Sequence, residues 1–149
     1  MNHKPDPDGR GSIRSSNPEL IEAALASWRI AHTDFVKDFM FARHLVGTKG
    51  KSNRLIWIEL NSTPWDFQIE FYYHWNPFSS EIAVTKGNLI RLNRWRVKDP
   101  MKSLGTIAHE WTHILGYSHS FRNSPERDFT VPYSFGIAVE EYRRKFRVQ

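Results

Sequence analysis

The chain is predicted to fold as a single α+β domain, and three observations carry that prediction. Apolar residues recur at helical spacing near both ends, over 17–47 and 135–147. The middle holds short apolar and aromatic runs cut by Pro64, Gly87 and Asn88, which is strand punctuation. A further helix-spaced segment, 101–115, follows those runs directly. Strands gathered together and flanked by helices mark the α+β class. At 149 residues, 40% of them hydrophobic and 14% aromatic, the chain can bury a sizeable core.

The elements follow in order. Residues 1–16 carry Pro5, Pro7, Gly9 and Gly11 among charges and read as a flexible leader before a single domain at 17–149. Asn17-Pro18-Glu19 is a helix start, with a cap, a first-turn proline and an early acid. Leu20, Ile21, Ala24, Leu25 and Trp28, then Phe35, Val36, Phe39 and Met40, continue the helical spacing to Gly47. Thr33-Asp34 can recap, so one long helix and two shorter ones both stay open. Leu55 to Leu60 reads as a mostly buried strand. Asp66 to Trp75, rich in aromatic and β-branched residues, reads as a second. Ile82 to Thr85 and Leu89 to Leu92 flank Lys86-Gly87-Asn88, a hairpin signal. Met101 to Leu115 is a helix begun near Asp99-Pro100, and Gly105 within it suits a close packing contact. Phe135 to Arg147 closes the chain as a helix with acids leading and bases trailing, as the helix dipole favours.

The chemistry concentrates in His109-Glu110-Trp111-Thr112-His113-Ile114-Leu115-Gly116-Tyr117-Ser118-His119, which has the pattern HExxHxxGxxH. His109 and His113 lie one turn apart on one helix face and can share a metal ion. Glu110 sits to the side, where it reaches a metal-bound water rather than the metal. Gly116 lets the helix end through the left-handed region, and the returning chain brings His119 as a third ligand. Three protein ligands with one open position are the pattern of a catalytic zinc site. At this composition an accidental HExxH arises in roughly 2% of shuffled chains, and the full motif in roughly one in ten thousand or fewer. The other histidines, His3, His32, His44 and His74, show no ligand spacing. For His74, within Phe71 to Trp75, and for all six tryptophans, core packing is the default expectation.

At these eleven residues the chain resembles the metzincin metalloproteases, and the likeness extends to about residues 54–142. The resemblance implies a zinc endopeptidase in which His109, His113 and His119 bind Zn2+. Glu110 is then the general base that takes a proton from the zinc-bound water and returns it to the leaving amine. It also implies a mixed, twisted sheet of four to five strands, a backing helix, the active-site helix and a C-terminal helix. An antiparallel edge strand near Glu81 to Thr85 would pair with extended substrate. The chain departs from the family in three ways. Only four strands are legible where the family has five, only the leader is available for the family strand that precedes the backing helix, and no methionine follows Met101 to form the turn beneath the metal. Thr130-Val131-Pro132-Tyr133 occupies the corresponding place. Val131 then stands for the methionine and Tyr133 for a tyrosine that binds the oxyanion or the metal. Residues 120–135 would line part of the specificity pocket, and Asp6 or Asp8 are candidates for a latency ligand.

Composition bounds the rest. No cysteine is present, so disulfides and thiolate ligation are excluded. No apolar run is long enough to span a membrane, and residues 1–16 as written do not form a secretory signal. Compartment and oligomeric state stay open. The partner is a protein or peptide substrate. A net charge of +5 permits a nucleic-acid tether without favouring one. A non-catalytic zinc module on a protease-like fold is the alternative from another class.

Overall fold

The computed structural model describes residues 2–5, 11–120 and 122–146. Its strands are β1 (Asn2–Pro5), β2 (Ser12–Ser15), β3 (Phe67–Tyr72), β4 (Ala83–Lys86) and β5 (Leu89–Asn93). Its helices are α1 (Pro18–Ala31), α2 (Asp34–Ala42), α3 (Asn53–Ser62), α4 (Leu104–Ile114) and α5 (Val131–Phe146). The strands form one mixed sheet in the order β1-β2-β3-β5-β4. β2, β3 and β5 run parallel, while β1 and β4 are antiparallel at the two edges. The class is α+β.

One face of the sheet is apolar and the other is not. Ile13, Phe67, Ile69, Ile90 and Leu92 are all fully buried. Register aligns them, with Ile13 opposite Phe67 and Ile69 opposite Ile90. Arg14, Gln68, Glu70 and Arg91 alternate with them and stay partly exposed, the period-2 signature of a half-solvated sheet. α1 packs against β2 and β3, and α4 against β4 and β5. α2 and α3 pack beside α5 and α2 respectively. Trp65 stacks on Trp111 of α4 with ring centroids 4.8 Å apart, filling the space beneath the histidine-bearing helix.

The helix boundaries are set by caps. Asn17 accepts from Glu19 N at 2.9 Å and starts α1. The 17–47 segment resolves into two helices, because Thr33 accepts from Val36 N and starts α2 afresh. Asp99 accepts from Met101 N and opens a 3-10 turn, Pro100–Lys102, and α4 begins only after Ser103. The closing helix starts a turn earlier than its periodicity indicates, at Val131.

Two expectations are corrected. Leu55 to Leu60 is not a strand but most of α3. Ser52 caps it by accepting from Leu55 N at 3.2 Å. Burial then follows helical spacing, with Ile56, Trp57 and Leu60 inside while Leu55 and Ile58 are exposed. The 1–16 leader, read as flexible, instead supplies β1 and β2. A strand this short gains its place from one residue, Ile13, which fits the apolar face beside Phe67. Asp6 and Asp8 lie outside the described residues.

Candidate metal centre

The α4 helix ends where the motif requires. Leu115 N and Gly116 N donate to the carbonyls of Thr112 and His113 at 3.1 and 3.0 Å. Gly116 then adopts φ 92°, a conformation strained for any other residue, and the chain reverses. Tyr117 N closes the turn on Thr112 O at 3.2 Å. His119 is carried back over the helix face that bears His109 and His113.

The three rings converge. His109 Nε2 lies 3.2 Å from His113 Nε2 and 3.1 Å from His119 Nε2. The outer nitrogens of two rings are anchored. His113 Nδ1 donates to the Tyr117 carbonyl at 2.7 Å, and His119 Nδ1 to the Ser120 carbonyl at 3.0 Å. A carbonyl only accepts, so Nδ1 carries the proton in both rings and Nε2 keeps its lone pair for the shared centre. Burial, reinforced by the neighbouring His113 and His119 rings, pushes His109 down to about 3. Burial also lowers His119. Both are therefore neutral near pH 7, the state in which imidazole ligates a metal. The cluster can hold a metal ion, and among the described residues no other group of His, Asp and Glu does so. His74 instead lies 3.7 Å from Glu81 Oε2.

Glu110 does not join the ligand set. It is buried, and its Oε2 accepts from the Thr85 hydroxyl at 2.6 Å. Burial raises its pKa above the ordinary carboxyl range, while the Thr85 bond and the nearby His119 oppose that rise. Thr85 belongs to β4, so the edge strand and the histidine helix are joined at this carboxylate. Nothing in the alternation of 82–85 marks Thr85 for that role.

Tyr133 is brought to the same place. Its ring lies edge-on to His109 at 4.6 Å and to His119 at 4.7 Å. The Arg127 guanidinium covers it at 4.9 Å from the ring centroid. Val131 is fully buried two residues earlier, at the start of α5. Close approach of α5 to α4 depends on two glycines. A Cβ on Gly105 would fall 2.5 Å from the Gly136 carbonyl, and one on Gly136 would fall 2.8 Å from the Gly105 carbonyl and 3.2 Å from His109 Cβ. Glu140, one turn further on, accepts from Gly105 N at 2.9 Å and satisfies a free N–H in the first turn of α4.

The histidines, Glu110 and Tyr133 line one cleft of about 1130 Å³, bounded on one side by 79–85 and on the other by 116–119 and α5. Among the described strands β4 pairs with β5 and stands at the end of the sheet, with Ala83, Val84 and Thr85 in the cleft wall. Sequence reasoning did not reach Thr85, Arg127, Glu140 or the two carbonyl anchors. No family model, curated protein or solved structure matches this chain.

Proposed function

We propose that this protein is a zinc-dependent endopeptidase of metzincin-like design. The observation that carries the reading is a buried carboxylate, Glu110, held beside three imidazole nitrogens but outside their cluster. A site that only stored or stiffened would have no use for it. The donor set fits zinc. A tetrahedral ion at about 2.0–2.1 Å from each nitrogen needs them roughly 3.3 Å apart; two of the three separations are 3.1 and 3.2 Å, and all three nitrogens lie within 4.8 Å of one another.

A bound zinc ion supplies Lewis acidity, polarising the scissile carbonyl and acidifying water. The residues do the rest. Glu110 Oε1 is left to accept a proton, because Thr85 occupies Oε2. Burial makes this carboxylate a stronger base than an exposed one, and therefore a better acceptor and later donor of that proton. The Tyr133 phenol, beside two of the ligands, is the donor toward a developing oxyanion. β4, at the end of the described sheet, offers N–H and C=O groups to an extended substrate backbone, which sets the scissile bond across the cleft.

The test is digestion of an unstructured protein and a peptide library by zinc-loaded enzyme. Cleavage is expected, lost with a chelator and regained with zinc. Stoichiometric zinc with no cleavage of any peptide or protein supports the non-catalytic module instead.

A further inference from the structure

A second surface lies at one mouth of the cleft, where the 73–82 loop after β3 meets the 94–98 turn after β5. Core packing does not hold for these aromatics. Trp75 and Phe78 are 88% and 86% exposed, Tyr73 63% and Trp95 41%. The rings stand on a tied frame. Trp95 Nε1 donates to His74 O at 3.0 Å, and its ring meets Tyr73 edge-on at 4.9 Å. Arg96 donates to the Ser79 and Phe78 carbonyls at 2.7 and 3.1 Å, fastening the loop to the turn.

The surface carries positive charge: Arg94, Arg96 and Lys98 stand against Glu81 across the loop and the turn, a net +2. Exposed rings among cations suit two polyanions, single-stranded nucleic acid and an anionic lipid surface. The disposition of the cations favours the second. Arg94 lies over Phe71 and donates to the Val97 and Lys98 carbonyls, and Lys98 donates to the Arg94 carbonyl. Arg96 is held by the loop. These groups supply a positive field rather than free forks for individual phosphates. A headgroup layer requires that field together with aromatic side chains that enter the interface, and Trp75 and Phe78, on either side of Asn76-Pro77, are almost fully exposed beside it.

We infer that this surface docks the protein on an anionic phospholipid bilayer, with Trp75 and Phe78 seated in the interface. Because 79–85 is also cleft wall, docking places one mouth of the cleft at the membrane. The inference does not depend on zinc or on proteolysis.

Vesicle co-sedimentation of the full chain tests it, with phosphatidylcholine alone and mixed with phosphatidylserine. Binding is expected only with the anionic lipid, weakening as salt rises, with a blue shift of tryptophan emission. The double variant Trp75→Ala, Phe78→Ala alters exposed positions, so circular dichroism should be unchanged while affinity falls at least about tenfold. A single-stranded oligonucleotide is run under the same salt. Three results overturn the inference: no vesicle binding at low salt, undiminished binding by the folded double variant, or binding to the oligonucleotide without binding to vesicles.

Discussion

The Thr85 hydroxyl, carried by a different element, donates to Glu110 Oε2 at 2.6 Å. Thr85→Val should lower kcat roughly tenfold at neutral pH, since hydrogen bonds to charged groups are worth about 1.5–3 kcal/mol. Zinc content should not change, because the Thr85 hydroxyl bonds Glu110 rather than a histidine. Tyr133→Phe should cost about a hundredfold in kcat with little change in KM, the mark of a donor used only in the transition state. An unaltered kcat would leave Tyr133 as packing against His109 and His119. Glu59 makes a different prediction. Burial opposes its ionisation, but the Tyr117 phenol and the Lys51 ammonium, 3.0 Å from Oε2, outweigh it and hold the carboxyl below 4.5. A depressed folded pKa stabilises above the unfolded value and loses that contribution as pH falls through the folded one. Glu59→Gln should therefore be less stable than wild type at pH 7, with the difference shrinking below pH 4.5. Denaturant melts at the two pH values measure it.

The pairing of α4 with α5 is the element-scale determinant of the site. Intrinsic helix propensity predicts that Gly105→Ala stabilises by about 1 kcal/mol. Packing predicts the reverse, since the new Cβ meets the Gly136 carbonyl at 2.5 Å and Glu140 Cγ at 2.4 Å. The expected net effect is a loss of about 1–3 kcal/mol, the usual cost of overpacking, seen as a lower denaturation midpoint. A midpoint that rises would mean that the helices part without strain. The role of Gly105 was legible in sequence as a glycine inside a helix, and so were both histidine-bearing turns, because HExxHxxGxxH encodes local geometry. The strand at 55–60 was misread because Leu-Ile-Trp-Ile-Glu-Leu is too short and too apolar for its period to show. Only the Ser52 cap and the spacing of Ile56 and Leu60 distinguish a helix there. β2 escaped notice because it has one apolar residue, and its partner Phe67 is fifty-four positions away. Thr85 escaped for the same reason, since its meeting with Glu110 is made by the sheet rather than by the local sequence. Trp75 and Trp95 were assigned to packing by residue type alone, and hydropathy does not say which aromatic rings a loop leaves outside.

At the scale of the whole molecule, one ion would join an edge strand, two helices and a long return loop through the residues around it. Zinc at about a hundredfold over its Kd should raise the unfolding free energy by about 2.7 kcal/mol. For a chain of this size that is about 5–10 °C in Tm. His113→Ala and His119→Ala should lose most of that gain, and a similar rise in either would place the ion elsewhere. The central claim is that the site binds metal in order to hydrolyse peptide bonds with Glu110 as base. Its most direct test is Glu110→Gln, with zinc stoichiometry and peptide turnover measured on the same preparation beside wild type. One zinc per chain is expected in both proteins, with turnover falling about 10³-fold in the variant. Turnover at the wild-type rate by the zinc-loaded variant would contradict it.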